Sequence, residues 1–165
     1  MKGLILAGGI GRRLYPLTKD KPKCMLKIGD KTILEHLLDN FSYAGFKEVI
    51  VVSGFNSELV KYTIGDSWKG MKITHCLNEW FANTNTRVGL WVAKEHIDCP
   101  IVQCHGDLIF NKEMLKKVLD SPIETGVVGD SDLDNLCDDD NRFIMNDGKV
   151  IDLSEPPRGK TSWHP

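Results

Sequence analysis

The chain alternates between short continuous apolar runs and longer stretches in which apolar residues recur every three or four positions. Residues 3–7 form the first apolar run, which ends in glycines and predicts a buried strand. Over 32–44, Ile33, Leu34, Leu37, Leu38 and Phe41 share one helical face, with Thr32 as cap and Gly45 as stop. A strand is predicted over 48–53, a short helix over 56–64 and a third strand over 71–77. Helical spacing returns over 86–96, carried by Val88, Leu90, Trp91 and Val92. A fourth strand over 100–105 leads to Gly106-Asp107, and a helix over 111–119 presents Met114, Leu115, Val118 and Leu119 as its inner face.

Strands therefore alternate with helices that serve as crossovers. That order predicts an α/β fold, a Rossmann-like and mostly parallel sheet with helices on both faces. Residues 8–31 interrupt the pattern with glycines, prolines and basic residues, as a long functional loop does. Beyond Thr125 the texture changes. Short strands are predicted over 126–128, 142–145 and 149–153, with Asn146-Asp147-Gly148 as a hairpin turn. Asp138-Asp139-Asp140 reads as a solvated loop and 156–160 as an irregular tail.

A length of 165 residues fits one domain, and 41% hydrophobic with 27% charged residues is an ordinary soluble composition. The net charge of -2 argues against a nucleic-acid partner, which favours a basic excess. No apolar run approaches the roughly 20 residues that span a bilayer. Residues 1–7 are too short and too soon glycine-rich for a signal peptide, so a cytoplasmic protein without membrane insertion is expected. Cys24, Cys76, Cys99, Cys104 and Cys137 are odd in number and lack CxxC spacing, which points to reduced thiols rather than zinc or a disulfide framework. The histidines form no HExxH pattern.

The chemistry concentrates in the loop after the first strand. Gly8, Gly9 and Gly11 leave backbone N–H groups open to an anion, and Arg12, Arg13, Lys19, Lys21 and Lys23 supply five cations close by. Such a cluster in an acidic chain suits a polyphosphate. A Walker loop does not fit, since no Gly-Lys-Ser or Gly-Lys-Thr follows these glycines. A dinucleotide fingerprint fails too, because Leu14 stands where its third glycine belongs. Asp107, beyond the fourth strand, lies where ligands of open α/β sheets gather, and reads either as a cap or as a metal ligand.

The ordered string Leu6-Ala7-Gly8-Gly9-Ile10-Gly11-Arg12-Arg13-Leu14-Tyr15-Pro16-Leu17-Thr18, followed by Lys21-Pro22-Lys23-Cys24-Met25-Leu26, resembles the signature of the sugar-nucleotidyltransferase superfamily. The resemblance implies that Leu6, Ala7, Gly8, Gly9 and Gly11 wrap a nucleoside triphosphate. It implies that Arg13 holds the β- and γ-phosphates, and that Lys23 contacts the α-phosphate and the attacking phosphate. Gly106-Asp107-Leu108-Ile109-Phe110 is similar to a family segment whose Asp binds the metal, which implies Mg²⁺ on Asp107. Residues 78–86 followed by Gly89-Leu90-Trp91 resemble the cytidylyltransferase branch, the phosphocholine and aminoethylphosphonate type, with Glu79, Thr86 and Gly89 as departures. Asn78, Thr84 and Asn85 are the candidate base or acceptor contacts there, or a cap before the next helix.

Trp80, Phe81 and Trp91 read as an ammonium cage or, for Trp91, as core packing. UTP- and dTTP-using relatives tend to carry a Gln-x-x-x-Gly-Thr element, which is absent here, so CTP and a small phosphate or phosphonate acceptor are the expected partners. The alternatives are a sugar-1-phosphate nucleotidyltransferase using UTP or dTTP, and a non-catalytic nucleotide-binding module. On this reading 1–125 is the nucleotide-binding core, 126–155 begins the acceptor-side strands and 156–165 is a tail, all within one domain. Family members usually continue for tens of residues, so part of the fold is expected to be missing at the C-terminal end. Assembly into a homo-oligomer is left open.

Overall fold

The computed structural model describes residues 1–129 and 142–154. Cys137, the Asp138-Asp139-Asp140 loop and the tail from residue 156 lie outside the described residues. The chain divides into two compact units, Met1–Ser121 and Pro122–Pro165.

In chain order the first unit contains β1 (Lys2–Ala7), β2 (Lys27–Ile28), β3 (Lys31–Thr32), α1 (Ile33–Tyr43), β4 (Glu48–Ser53) and α2 (Ser57–Ile64). It continues with β5 (Ser67–Trp68), β6 (Met71–Leu77), α3 (Thr86–Ala93), β7 (Ile101–His105) and α4 (Glu113–Leu119). The sheet runs β5-β6-β4-β1-β7, and β6, β4, β1 and β7 are all parallel. β5 adds a short antiparallel edge. The mostly parallel sheet expected from the alternating pattern is therefore present.

Strand residues alternate between two cores because successive side chains point to opposite faces. Ile5, Val49, Val51 and Ile73 pack with Leu34, Leu37, Leu38 and Phe41 of α1, Val60 and Ile64 of α2, and Leu115 of α4. Leu4, Ile50, Val52 and Cys76 meet Ala93 of α3 on the other face. Gly3 makes the first core dense: a Cβ there would sit 2.7 Å from the Phe41 ring. Helix α1 starts with a complete capping box, in which Thr32 Oγ1 accepts from Glu35 N–H and the Glu35 carboxylate accepts from Thr32 N–H.

Three expectations need correction. Helix α4 begins at Glu113 and buries only Leu115 fully, while Met114 and Leu119 are each 37% exposed. The seven-residue helix leans on α1, where the Tyr43 hydroxyl donates to Glu113 and the Lys116 ammonium lies over the Tyr43 ring, so only Leu115 turns into the core. Trp91 is not in the core: it lies on the outer side of α3, 56% exposed, because Gly89 and Ala93 take the inward positions. In the second unit, 126–128 is not a strand, and Val127 and Val128 are exposed. A three-residue run forms a strand only where a neighbour pairs its backbone.

The second unit does contain the expected hairpin, β8 (Arg142–Asn146) against β9 (Lys149–Ser154). Asp147 and Gly148 turn it with φ of 47° and 73°, the double positive φ of a tight hairpin turn. No helix among the described residues is long and apolar enough to cross a membrane.

Candidate functional site

The chain steps from β1 to β4 to β6 in one direction, then crosses back to place β7 on the other side of β1. Neighbouring strand ends lead their loops apart at such a reversal, which opens a crevice at the carboxyl end of the sheet. Here a cavity of about 280 Å³ occupies it. Gly106 is what lets the β7 end approach: its N–H donates to the Leu6 carbonyl at 2.9 Å, and a Cβ would meet the Ala7 Cβ at 2.7 Å.

The floor of the cavity is Leu6, Ala7, Gly8 and Gly9, at the end of β1. The loop that follows folds on itself. The Thr18 hydroxyl, fully buried, donates to the Gly11 carbonyl at 2.8 Å, and single 3-10 turns form over Arg12–Leu14 and Lys23–Met25. Cys24 and Met25 are buried and anchor the second turn under the sheet. Burial pushes the Cys24 thiol up to about 12, and the Cys104 thiol likewise, so both are inert packing groups at neutral pH.

Anchoring Cys24 leaves Lys23 at the cavity wall, where its ammonium donates to Asp107 Oδ2 at 2.8 Å. Burial would raise the Asp107 carboxyl. The Lys23 hydrogen bond and charge, the residue's own backbone N–H and His105 outweigh it and hold the group below the ordinary carboxylate range. An anionic oxygen donor and a cation thus sit in direct contact at the switch point.

The opposite wall comes from the segment between β6 and α3. Asn78 is buried and organises it: its N–H donates to the Ser53 carbonyl, its Oδ1 accepts from Trp80 N–H, and its Nδ2 donates to Thr84 Oγ1 at 3.1 Å. Thr84 in turn donates to the Trp80 carbonyl at 2.8 Å. Asn85 caps α3 by accepting from Arg87 N–H, and it lines the cavity at the same time. Phe81 folds inward over Gly54, where a Cβ would sit 2.4 Å from the Phe81 Cβ.

Of the residues singled out by sequence, Leu6, Ala7, Gly8, Gly9 and Lys23 meet Asn78, Thr84, Asn85 and Asp107 around one cavity. Gly11 lies behind Lys23 rather than in the wall, and Arg13 occupies the exposed turn over Arg12–Leu14. Trp80 and Trp91 pair outside the cavity, ring centroids 6.1 Å apart, with the Lys94 ammonium 4.6 Å from the Trp91 centroid. Only Phe81 of the three aromatics reaches the cavity. Val52, His105 and Gly89 line it without having been predicted as site residues. Val52 and His105 belong to a strand interior and a strand end, where nothing in the local pattern marks them, and Gly89 stood out only as a departure within the segment that resembles the cytidylyltransferase branch. Among the described residues no group of three or more His, Cys, Asp or Glu is placed to hold a metal, so Asp107 is the carboxylate that the cavity itself offers.

The model of the nucleotidyl transferase family matches residues 2–130. The chain belongs to that family. This nucleotidyl transferase chain is 35% identical over 118 residues to the UTP–glucose-1-phosphate uridylyltransferase of Haloferax volcanii, a match covering 69% of the chain and 46% of the relative. It is 26% identical over 170 residues to the CTP:phosphoglutamine cytidylyltransferase of Campylobacter jejuni, covering 94% of the chain and 66% of the relative. The chain thus spans from about half to two thirds of the length of these relatives. A solved Bacillus anthracis structure, named for glucose-1-phosphate thymidylyltransferase, superposes with a TM-score of 0.76 at 22% identity. That match covers 96% of this chain and 65% of that one, and it shows the fold.

Proposed function

We propose that the chain is the nucleotide-binding part of a cytidylyltransferase, which transfers CMP from CTP to a small phosphate or phosphonate acceptor and releases pyrophosphate. The observation that carries this reading is the meeting of Gly8, Gly9, Lys23 and Asp107 around one cavity at the switch point. An acceptor phosphate oxygen attacks the α-phosphorus; a new P–O bond forms, the α–β bridge breaks, and pyrophosphate takes the bridging oxygen. Such transfers need alignment and charge neutralisation more than covalent help. The Gly8 and Gly9 backbone N–H groups face the phosphates without a side chain in the way. Lys23 neutralises the α-phosphate and steers the acceptor oxygen, while Arg13 receives the β- and γ-phosphates.

Asp107 fits the role of a magnesium ligand: its carboxyl is held below the ordinary range, it opens into the cavity, and Mg²⁺ is commonly held by one or two carboxylates plus phosphate oxygens. The ion would add charge neutralisation at the leaving group. The choice of CTP rests on the segment around Asn78, Thr84 and Asn85, which forms the wall facing Lys23, and on the likeness to the phosphoglutamine enzyme along 94% of the chain. The uridylyltransferase at 35% identity favours a second reading, UTP with a sugar 1-phosphate.

Thermal-shift titration with CTP, UTP, dTTP, ATP and GTP in Mg²⁺ separates the two. CTP is expected to stabilise most, and a larger shift with UTP overturns the choice of base. Lys23→Ala is expected to abolish pyrophosphate release while leaving the melting temperature nearly unchanged, since its partner Asp107 is 42% exposed at the side chain and can be hydrated. Full activity in that variant would sink the proposed role of Lys23.

A further inference from the structure

Asn56 stands before helix α2, where an Asn side chain ordinarily accepts a hydrogen bond from the first turn of the helix. It does not do so here: no side-chain cap is formed. The backbone is left-handed, φ 46° and ψ 49°, whereas a capping residue is normally extended. A non-glycine residue holds that conformation at a cost, and such residues gather where a site needs them. The side chain is used elsewhere. Its amide Nδ2 donates at 2.8 Å to the backbone carbonyl of Asp20, thirty-six positions earlier in the chain.

Asp20 lies between Lys19 and Lys21 and three residues before Lys23. The backbone–backbone hydrogen bonds within this loop, among the described residues, are short-range: Leu14 to Gly11, Leu17 to Leu14, Lys19 to Pro16, Met25 to Pro22. Its outer strand of residues is tied to the body of the protein by the Asn56 amide on one side and by the Lys23–Asp107 pair on the other. The residues next to Asn56 touch the same loop. Phe55 N–H donates to the Gly8 carbonyl at 3.5 Å, and Gly54 is packed so closely that a Cβ would lie 2.8 Å from that carbonyl.

We propose that Asn56 is a positioning residue for the cationic loop: its left-handed backbone turns the amide away from α2 and onto Asp20, and so holds Lys19–Lys23 beside the cavity for the triphosphate. This rests on the nucleotide reading above. It makes a prediction that a merely structural role does not. Glycine accepts a left-handed conformation freely and is nearly as good as Asn before a helix. Asn56→Gly therefore keeps or raises the melting temperature while it releases the loop. Asn56→Asp keeps the size and the tolerance of positive φ but cannot donate at neutral pH, and should act in the same direction.

The test is hydrogen exchange on the free chain together with calorimetric binding of CTP and Mg²⁺. Both variants should show faster exchange confined to residues 17–24 and CTP affinity weaker by about fivefold, the size of one partly exposed hydrogen bond. Unchanged exchange in that segment, or unchanged affinity with a released loop, overturns the proposal. Faster exchange spread through α2, with a lowered melting temperature, also overturns it, since Asn56 would then be only a helix residue. If the wild-type chain binds none of the five triphosphates, the nucleotide reading fails first and the proposed purpose of the tie fails with it, whatever the exchange shows.

Discussion

Gly11 is held at φ 74°, and a Cβ there would come within 2.6 Å of Lys23 Cγ and 3.2 Å of Thr18 Cγ2. Two separate penalties therefore meet at one position. Left-handed backbone costs a side-chain-bearing residue about 1–2 kcal/mol. The added methyl also displaces the stem of Lys23, and with it the contact to Asp107. Gly11→Ala is expected to destabilise the fold by about 1–2 kcal/mol in urea unfolding and to weaken CTP binding at least about tenfold, the equivalent of one misplaced charged hydrogen bond. Wild-type affinity in a folded variant would mean that Lys23 placement does not depend on this glycine. That Gly8, Gly9, Lys23 and Asp107 meet was legible in the chain, because their types and order single them out as one candidate site, and they line one cavity. Phe81 over Gly54, and Gly89 facing Leu6, were not. Both contacts depend on how close two distant segments approach, which no local pattern encodes.

At the scale of elements, what was legible is what long runs and periodicity can carry. β4 occupies the expected residues because its apolar run is buried in a parallel sheet, β6 because Met71, Ile73 and Cys76 are buried between polar neighbours, and α1 because cap, stripe and stop agree. β5 was not legible: it is a two-residue edge, turned back by Lys69 and Gly70 at φ 49° and 80°. A Lys-Gly pair lacks the Asn-Gly or Asp-Gly signal that marked the Asp147-Gly148 turn. Thr32 shows how much one cap contributes. It is buried, and its hydroxyl accepts from Glu35 N–H at 3.2 Å. Thr32→Ala leaves that donor without its partner and should cost about 1 kcal/mol. For a domain of this length that is a fall of about 2–4 °C in melting temperature. CTP affinity should be unaffected, because β3 and the start of α1 stand outside the cavity. A loss of nucleotide binding equal to the loss of stability would show that the cap and the site are coupled.

Across the whole first unit, stability is expected to depend on acid through carboxylates held by cations. Asp39 is the strongest case. From α1 it takes three donors: Lys31 of β3 at 2.6 Å, the Trp68 indole N–H of β5 at 2.9 Å, and Lys69 of the turn after β5 at 2.7 Å. Burial would raise its carboxyl, but those three donors win and bring it down to about 2. Glu48 is also held low, against the effect of burial, by the Thr74 hydroxyl, Lys72 and Lys2. A carboxylate lowered in the folded state binds fewer protons there than in the unfolded chain, so unfolding takes up protons and stability rises with pH. Its contribution is complete above the unfolded value near 4 and is lost as pH falls toward 2. Urea midpoints measured at pH 7, 5, 4, 3 and 2 should thus stay level to about pH 4 and then fall steeply. Asp39→Asn removes the titrating group while keeping an oxygen for the Trp68 N–H. It should start lower at pH 7, because Lys31 and Lys69 lose their partner, and decline less between pH 4 and 2. Asp39 ties to α1 both the sheet edge and β3, which pairs antiparallel with β2; a second tie runs from the His36 ring to the Ile28 carbonyl of β2. An Asp39→Asn curve parallel to wild type across that window would mean that acid acts through other groups and that Asp39 fastens these elements without governing their pH response.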